Sequence, residues 1–268
     1  MQTIQPHNHK PAQVWGSGGH AYDEISAQIA SALDHCVRRL HPRAGERILD
    51  LATGTGWTSR LLAACGAQVT GVDLAEDLIA AARTIGRAHG LPIEYEVGDA
   101  ESLRFADGAF DAVVSTFGVM FASRPEAAAA EIARVCRKGG RLALATWKPD
   151  GGVFEMFKVM RGYMPAPPSP APPSPFAWGA RERIGELFGD AFQLAFEDGV
   201  TVYHERDGEG AWQAFVAGYG PTRALAASLD GARRDALKRD FIAFHDRFET
   251  PLGISVPRDY LVVAGTRR

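Results

Sequence analysis

The sequence holds few of the groups that would tie it together covalently or commit it to a metal. Among its 268 residues are three cysteines, Cys36, Cys65 and Cys136. They are widely spaced, odd in number and include no CxxC pair. That excludes a disulfide framework and a cysteine-built zinc site, and predicts three reduced thiols in a cytoplasmic protein with no bound metal. No apolar run approaches the roughly 18 residues a membrane helix needs, so no membrane span is expected. Met1 is followed by polar Gln, Thr, His and Asn residues rather than by a basic segment and an apolar run, which excludes an ordinary secretory signal. Excess positive charge is also missing. With 29 Lys and Arg against 32 Asp and Glu, the net charge of −3 argues against a nucleic acid as obligatory partner. Arg233-Arg234 and Arg267-Arg268 read as solvated surface. There is no internal repeat and no recognisable catalytic triad.

What is present is enough apolar material for a core, 46% of the residues, in a chain long enough for one large α/β domain or a core with a smaller cap. The organising stretch is Arg47-Ile-Leu-Asp-Leu-Ala-Thr-Gly-Thr-Gly-Trp-Thr-Ser-Arg60. Ile48 to Leu51 reads as a short buried strand. Gly54 and Gly56 break it, and the apolar spacing of Leu61, Leu62 and Ala64 predicts a helix directly afterwards, capped by Thr58 or Ser59. A strand, a glycine turn and a helix form the first unit of a nucleotide-binding sheet, with bare helix N–H groups aimed at whatever sits in the turn. Further strands are expected at about 68–73, 93–97, 110–115 and 141–147. Helices alternate with them, the last from Pro125 to Cys136 with a glycine C-cap at Gly139-Gly140. Five apolar strands alternating with helices imply a parallel, doubly wound α/β sheet.

The turn matches a dinucleotide fingerprint incompletely, because Ser59 stands at the third glycine position. The flanks narrow the reading. Asp50 lies four residues before Gly54, and Asp73 closes the next apolar run, about twenty residues past the turn, where an acid would meet a ribose diol. This Asp50-x-Ala52-x-Gly54-x-Gly56 pattern followed by Val72-Asp73 resembles class I S-adenosylmethionine (SAM)-dependent methyltransferases, and among them the small-molecule enzymes related to ubiquinone/menaquinone C-methylases. Ala52 departs from the glycine usual there and narrows the room near the methionine end of the ligand. The resemblance covers about residues 45–148 well. It implies a seven-stranded, mostly parallel Rossmann-like sheet whose last strand is antiparallel, with a helical cap. Phe192–His204 and Tyr260–Thr266 are then the edge pair, and the helices of 210–255 an insertion over the active face.

The resemblance also implies site roles. Ala52, Thr53, Gly54 and Gly56 approach the amino-acid part of SAM with backbone atoms. Asp73 grips both ribose hydroxyls. Asp99 receives the adenine amine, and Ala100 offers an N–H to a ring nitrogen. Leu74 and Leu78 pack on the adenine. Ser115, Thr116 and Phe117 present carbonyls to the ammonium group, and Asp50 orders the turn or meets the ammonium through water. Asp107 and Asp111 read as solvated. Trp15 and Tyr22 are candidates to cover the cofactor, with Trp15 as a plain core anchor the alternative.

The implied division is 1–44, a tail and cap helix; 45–148, the SAM-binding core; 149–191, a cap segment with a proline-rich connector; and 192–268, edge strands with a helical insertion. Residues 1–14 read as a loose tail, Tyr22 to Leu40 as one helix, and Pro165–Pro175 as stiff polyproline II. Residues 180–188 suit another helix. Gly208 to Phe248 reads as helical, broken at Tyr219-Gly-Pro-Thr222. The reaction implied is methyl transfer to a small-molecule acceptor by in-line displacement, which yields S-adenosylhomocysteine and needs a base only if the acceptor is protonated. His20, Tyr22 and His204 are the candidate bases. Trp147, Phe154, Phe157, Tyr163 and Trp178 are candidates for the acceptor pocket, or else form the core of the cap. Two alternatives remain at this point, an NAD(P)-dependent oxidoreductase and a SAM-binding module without catalysis. The oligomeric state is open between monomer and homodimer.

Overall fold

The computed structural model describes residues 4–166, 169 and 172–268. Three helices come first: α1 (His9–Gly16), α2 (Tyr22–Ala27) and α3 (Ala30–Leu40). The sheet then begins and alternates with helices: β1 (Arg47–Leu51), α4 (Trp57–Ala64), β2 (Gln68–Asp73), α5 (Glu76–Ala88), β3 (Ile93–Val97), β4 (Phe110–Thr116), α6 (Pro125–Val135) and β5 (Cys136–Trp147). Ile48, Leu49 and Leu51 of β1 are fully buried from both faces, which is why this strand reads as an unbroken apolar run. In α5, Leu78, Ile79, Ala82 and Ile85 recur at helical spacing and turn inward.

The second half adds α7 (Gly152–Arg161), α8 (Arg181–Phe188), β6 (Phe192–Glu205), α9 (Gly208–Gly218), α10 (Gly220–Ser228), α11 (Gly231–Asp246), the two-residue β7 (Glu249–Thr250) and β8 (Gly253–Arg267). The strand order is β3-β2-β1-β4-β5-β8-β6, with β7 on β8. Strands β1 to β5 run parallel. The last strand, β8, slots antiparallel between β5 and β6. Strand order reverses between β1 and β4, so the crevice at their carboxyl ends is the expected ligand site. No helix among the described residues is long and apolar enough to cross a membrane.

Four sequence expectations change. The stretch 1–14 is not a loose tail in its described part: Pro6–Asn8 forms a 3-10 turn and α1 follows. Its polar residues are in use, since Asn8 is only 4% exposed and donates to the Asp99 carboxylate. Residues 1–3 lie outside the described residues. The Tyr22–Leu40 helix breaks at Gln28-Ile29, where Ile29 has φ −119° and ψ 17°. The helix from Pro125 stops at Val135 without a glycine cap, and β5 starts at once. Gly139 takes a positive φ inside a strand irregularity where the β4–β5 register shifts. Beyond the break at Tyr219, a second one at Leu229-Asp230 separates α10 from α11, whose first turn Asp230 caps through Arg233 N. Of the polyproline II run, Pro167, Pro168, Pro170 and Ala171 lie outside the described residues. Pro175 opens the turn that buries Phe176 and Trp178.

Candidate active site

After β1 the chain turns through three left-handed residues, Ala52 (φ 56°), Gly54 (φ 58°) and Gly56 (φ 83°). A Cβ on Gly56 would stand 2.2 Å from the Tyr95 hydroxyl oxygen, so space and φ both demand glycine. Gly56 is the cap position of α4, and no side chain caps that helix. The expected caps are engaged elsewhere: Thr58 Oγ1 lies 2.8 Å from Thr116 Oγ1, and Ser59 donates to Asp50 at 2.6 Å. The first-turn N–H groups of α4 therefore keep their partial positive charge.

The acids divide into three kinds. Asp50 is buried beneath the turn and accepts the Thr53 and Ser59 hydroxyls, both at 2.6 Å. Burial pushes its pKa up to about 6. It orders the turn and does not line the cleft. Asp73 does line it, accepting from Gly54 N at 2.8 Å and Ala75 N at 2.9 Å. Burial raises its pKa against those backbone donors. Asp99 also lines the cleft, but its carboxylate accepts from Gln5 N at 2.9 Å, from Asn8 Nδ2 at 3.0 and 3.2 Å and from Glu101 N at 3.0 Å. The group that the resemblance assigns to an adenine amine is held by the chain's own N-terminal segment.

That segment is latched down a second time. Asp23 of α2 accepts from Thr55 Oγ1 at 2.8 Å and from the Arg60 guanidinium at 2.9 Å. Trp15 and Tyr22 thereby become walls of the cleft, along with Ala52, Thr53, Gly54, Leu74, Leu78, Ala100, Thr116 and Phe117. The cleft spans about 900 Å³ including the space open to solvent at its mouth. Ser115 does not reach it. Its hydroxyl turns back to accept Val119 N at 3.1 Å.

A smaller chamber adjoins the cleft and shares Trp15, Tyr22, Ile29, Phe117 and Phe121 with it. Phe117, at φ 57°, stacks on Trp147 with ring centres 3.8 Å apart. Trp147 is the one predicted acceptor-pocket residue that lines this chamber. Phe154 packs on Phe176. Phe157 packs on Phe121, Phe176 and the edge of Tyr219. Tyr163 donates to Asp240, and Trp178, 1% exposed, packs on Phe188. None of the four lines the chamber: Trp178 is buried in the core, and Phe154, Phe157 and Tyr163 pack half-buried against it. Of the candidate bases, His20 and His204 are exposed and line neither cavity. His204 meets Ser255 on the β6–β8 edge. Tyr22 lines both, but burial, with Asp73 nearby, holds its phenol protonated far above neutral pH.

The Methyltransf_11 family model, a methyltransferase domain, matches residues 49–144, which hold the glycine turn, Asp73 and Asp99. An uncharacterized protein of Mycobacterium tuberculosis is 33% identical over 231 residues, 81% of this chain and 83% of that one. The chain belongs to the class I SAM-dependent methyltransferases. Its cofactor is accordingly SAM. A second M. tuberculosis protein is 38% identical over 180 residues, 66% of this methyltransferase, which spans 64% of that relative's length. A demethylmenaquinone methyltransferase of Beutenbergia cavernae is 36% identical over 153 residues, 55% of this chain and 62% of that one. Among solved structures, the YcgJ protein of Bacillus subtilis has the same fold, with a TM-score of 0.62 at 18% identity over 89% of this chain and 98% of that one.

Sequence reasoning about this methyltransferase missed Asn8, Phe215, Tyr219 and Arg258. Asn8 carried no signal. Phe215 in α9 and Tyr219 at its C-terminal cap, four apart, signalled an apolar helix face but not its destination. Arg258 was findable: Ile254, Val256, Arg258 and Tyr260 alternate along β8, and all four are buried, which places a cation on an inward face.

Proposed function

We propose that the protein transfers the methyl group of SAM to a small apolar or aromatic acceptor bound in the inner chamber. The observation that carries this is the common wall of the two cavities. Trp15, Tyr22, Ile29, Phe117 and Phe121 border both, so the chamber lies directly behind the cleft with only these side chains between them. The residues present fit the cofactor. Each Asp73 oxygen has a lone pair beyond the bond it accepts from Gly54 or Ala75, enough for a ribose diol. The uncapped start of α4 and the Thr116 end of β4 offer N–H and carbonyl groups to an amino-acid moiety. Leu74 and Leu78 supply an apolar shelf for a base.

When bound, SAM supplies an electrophilic methyl group on a sulfonium. The chain's contribution is alignment and dryness. Phe117, Trp147, Phe121 and Trp15 exclude water and confine the acceptor. Tyr22 stays protonated, so its phenol is available as a hydrogen-bond donor and does not act as a base. Among the described residues no histidine lines the chamber, which suits an acceptor that arrives already nucleophilic. The demethylmenaquinone methyltransferase relative supports a small-molecule acceptor.

Calorimetry with SAM and S-adenosylhomocysteine, followed by an acceptor screen read out as S-adenosylhomocysteine formation, tests the reading. Binding of neither cofactor form would reject it. Binding without turnover on any O-, N-, S- or C-acceptor would favour a module that only holds SAM.

A further inference from the structure

Arg258 lines the chamber and is 5% exposed. It has no acidic partner among the described residues, and its Nη2 is buried without a hydrogen bond. Its guanidinium carbon sits 4.2 Å from the Tyr203 ring centre and 5.5 Å from that of Phe215. Burial lowers its pKa to about 10, which leaves it a cation at neutral pH. The surrounding groups do not neutralise it. His245, Tyr203 and Tyr219 are uncharged, and Tyr203 Oη and His245 Nε2 in the same cluster also lack partners. A buried guanidinium without an anion is costly, and ring faces recover only part of that cost. The other walls of the chamber are aromatic or aliphatic, apart from the two phenols Tyr22 and Tyr219 and the Met156 thioether.

We infer that the acceptor carries a carboxylate and that Arg258 pairs with it, so the enzyme selects aromatic or apolar acids. The inference rests on the methyltransferase reading of the site. A carboxylate matches one planar guanidinium fork with two parallel bonds. A phosphate dianion would need more donors than these mostly carbon walls hold. The ion pair would anchor one end of the acceptor at β8 while its other end faces the cleft across Phe117 and Tyr22. Arg258 is thus a specificity residue and takes no part in bond making.

The test uses full-length protein saturated with S-adenosylhomocysteine and calorimetry with matched pairs: benzoate, cinnamate and indole-3-acetate against their primary amides. At least one acid should bind about tenfold or more tighter than its amide, the range of a lost charge-assisted pair. Arg258→Met should abolish that preference and leave S-adenosylhomocysteine affinity unchanged, and Arg258→Lys should restore part of it. Should Arg258→Met fail to fold, the wild-type preference together with its partial retention in Arg258→Lys decides. Equal binding of acid and amide, absence of binding by all three acids, or a preference that survives Arg258→Met would overturn the inference. Loss of cofactor binding in the wild type would instead overturn the reading beneath it.

Discussion

Asp73 concentrates the cofactor argument in one carboxylate. Its two oxygens are oriented by Gly54 N and Ala75 N, and it is 6% exposed, at the cleft wall. Asp73→Ala should weaken SAM binding by about 1.5–3 kcal/mol, the worth of charge-assisted hydrogen bonds. Calorimetry reads this directly, and unchanged affinity would refute the ribose role.

His245 makes a separate statement about pH. Burial, reinforced by Arg258, lowers its pKa to about 4 from 6.5, against the backbone bond to Phe241. The unfolded chain gains a proton as pH falls through 6.5, and the folded protein does so only near 4. Stability from this group is therefore full above 6.5 and lost between 6.5 and 4, by roughly 3 kcal/mol. Asp50 acts in the opposite sense. Its folded pKa is raised to about 6, so its contribution is complete below the ordinary carboxylate range and is lost as pH rises through 6. Urea midpoints between pH 4 and 7 should show a shallower acid decline for His245→Phe and a steeper one for Asp50→Asn.

At the scale of elements, the N-terminal segment and the glycine turn form one unit. Asn8 holds Asp99, Asp23 holds Thr55 and Arg60, and Trp15 and Tyr22 become cleft walls as a result. Asn8→Ala leaves a buried carboxylate with one donor fewer, which costs about 1–3 kcal/mol. Part of that cost should appear as weaker SAM affinity and part as faster proteolysis near residues 4–20. Limited proteolysis with and without SAM separates the two, and equal cleavage of wild type and variant would contradict the latch. The capping of α4 illustrates what spacing cannot show. Thr58 and Ser59 have the chemistry of caps, but β4 and Asp50 recruit their hydroxyls from other parts of the chain.

For the whole molecule, ligand binding and folding are linked. SAM at about 100 times its dissociation constant should add about 2.7 kcal/mol to the stability of the folded state, raising the melting temperature by several degrees. Scanning calorimetry checks this, and Asp73→Ala should lose most of the shift at the same SAM concentration. The placement of β8 belongs to this scale too. It enters between β5 and β6 and carries Tyr260 towards His35 and Phe117, and Arg258 into the chamber. The inner chamber therefore depends on the last strand, more than a hundred residues from the glycine turn.

The local chemistry of the cofactor half was legible because it is local. Buried parallel strands must be apolar runs, a tight turn over a ligand must use glycine, and an acid at a strand end must meet polar atoms there. The residues from Ile48 to Asp73 state all three within one βαβ unit. The inner chamber was not legible, because its walls come from α1, α2, the turn after β4, β5, α7, α9 and β8, and no spacing rule links them. An aromatic residue carries the same apolar signal whether it packs in or against the core, as Trp178 and Phe154 do, or borders a cavity, as Trp147 and Tyr219 do. Only the packing of distant elements could choose between those fates, and only it could leave Arg258 facing an apolar chamber without a counter-charge.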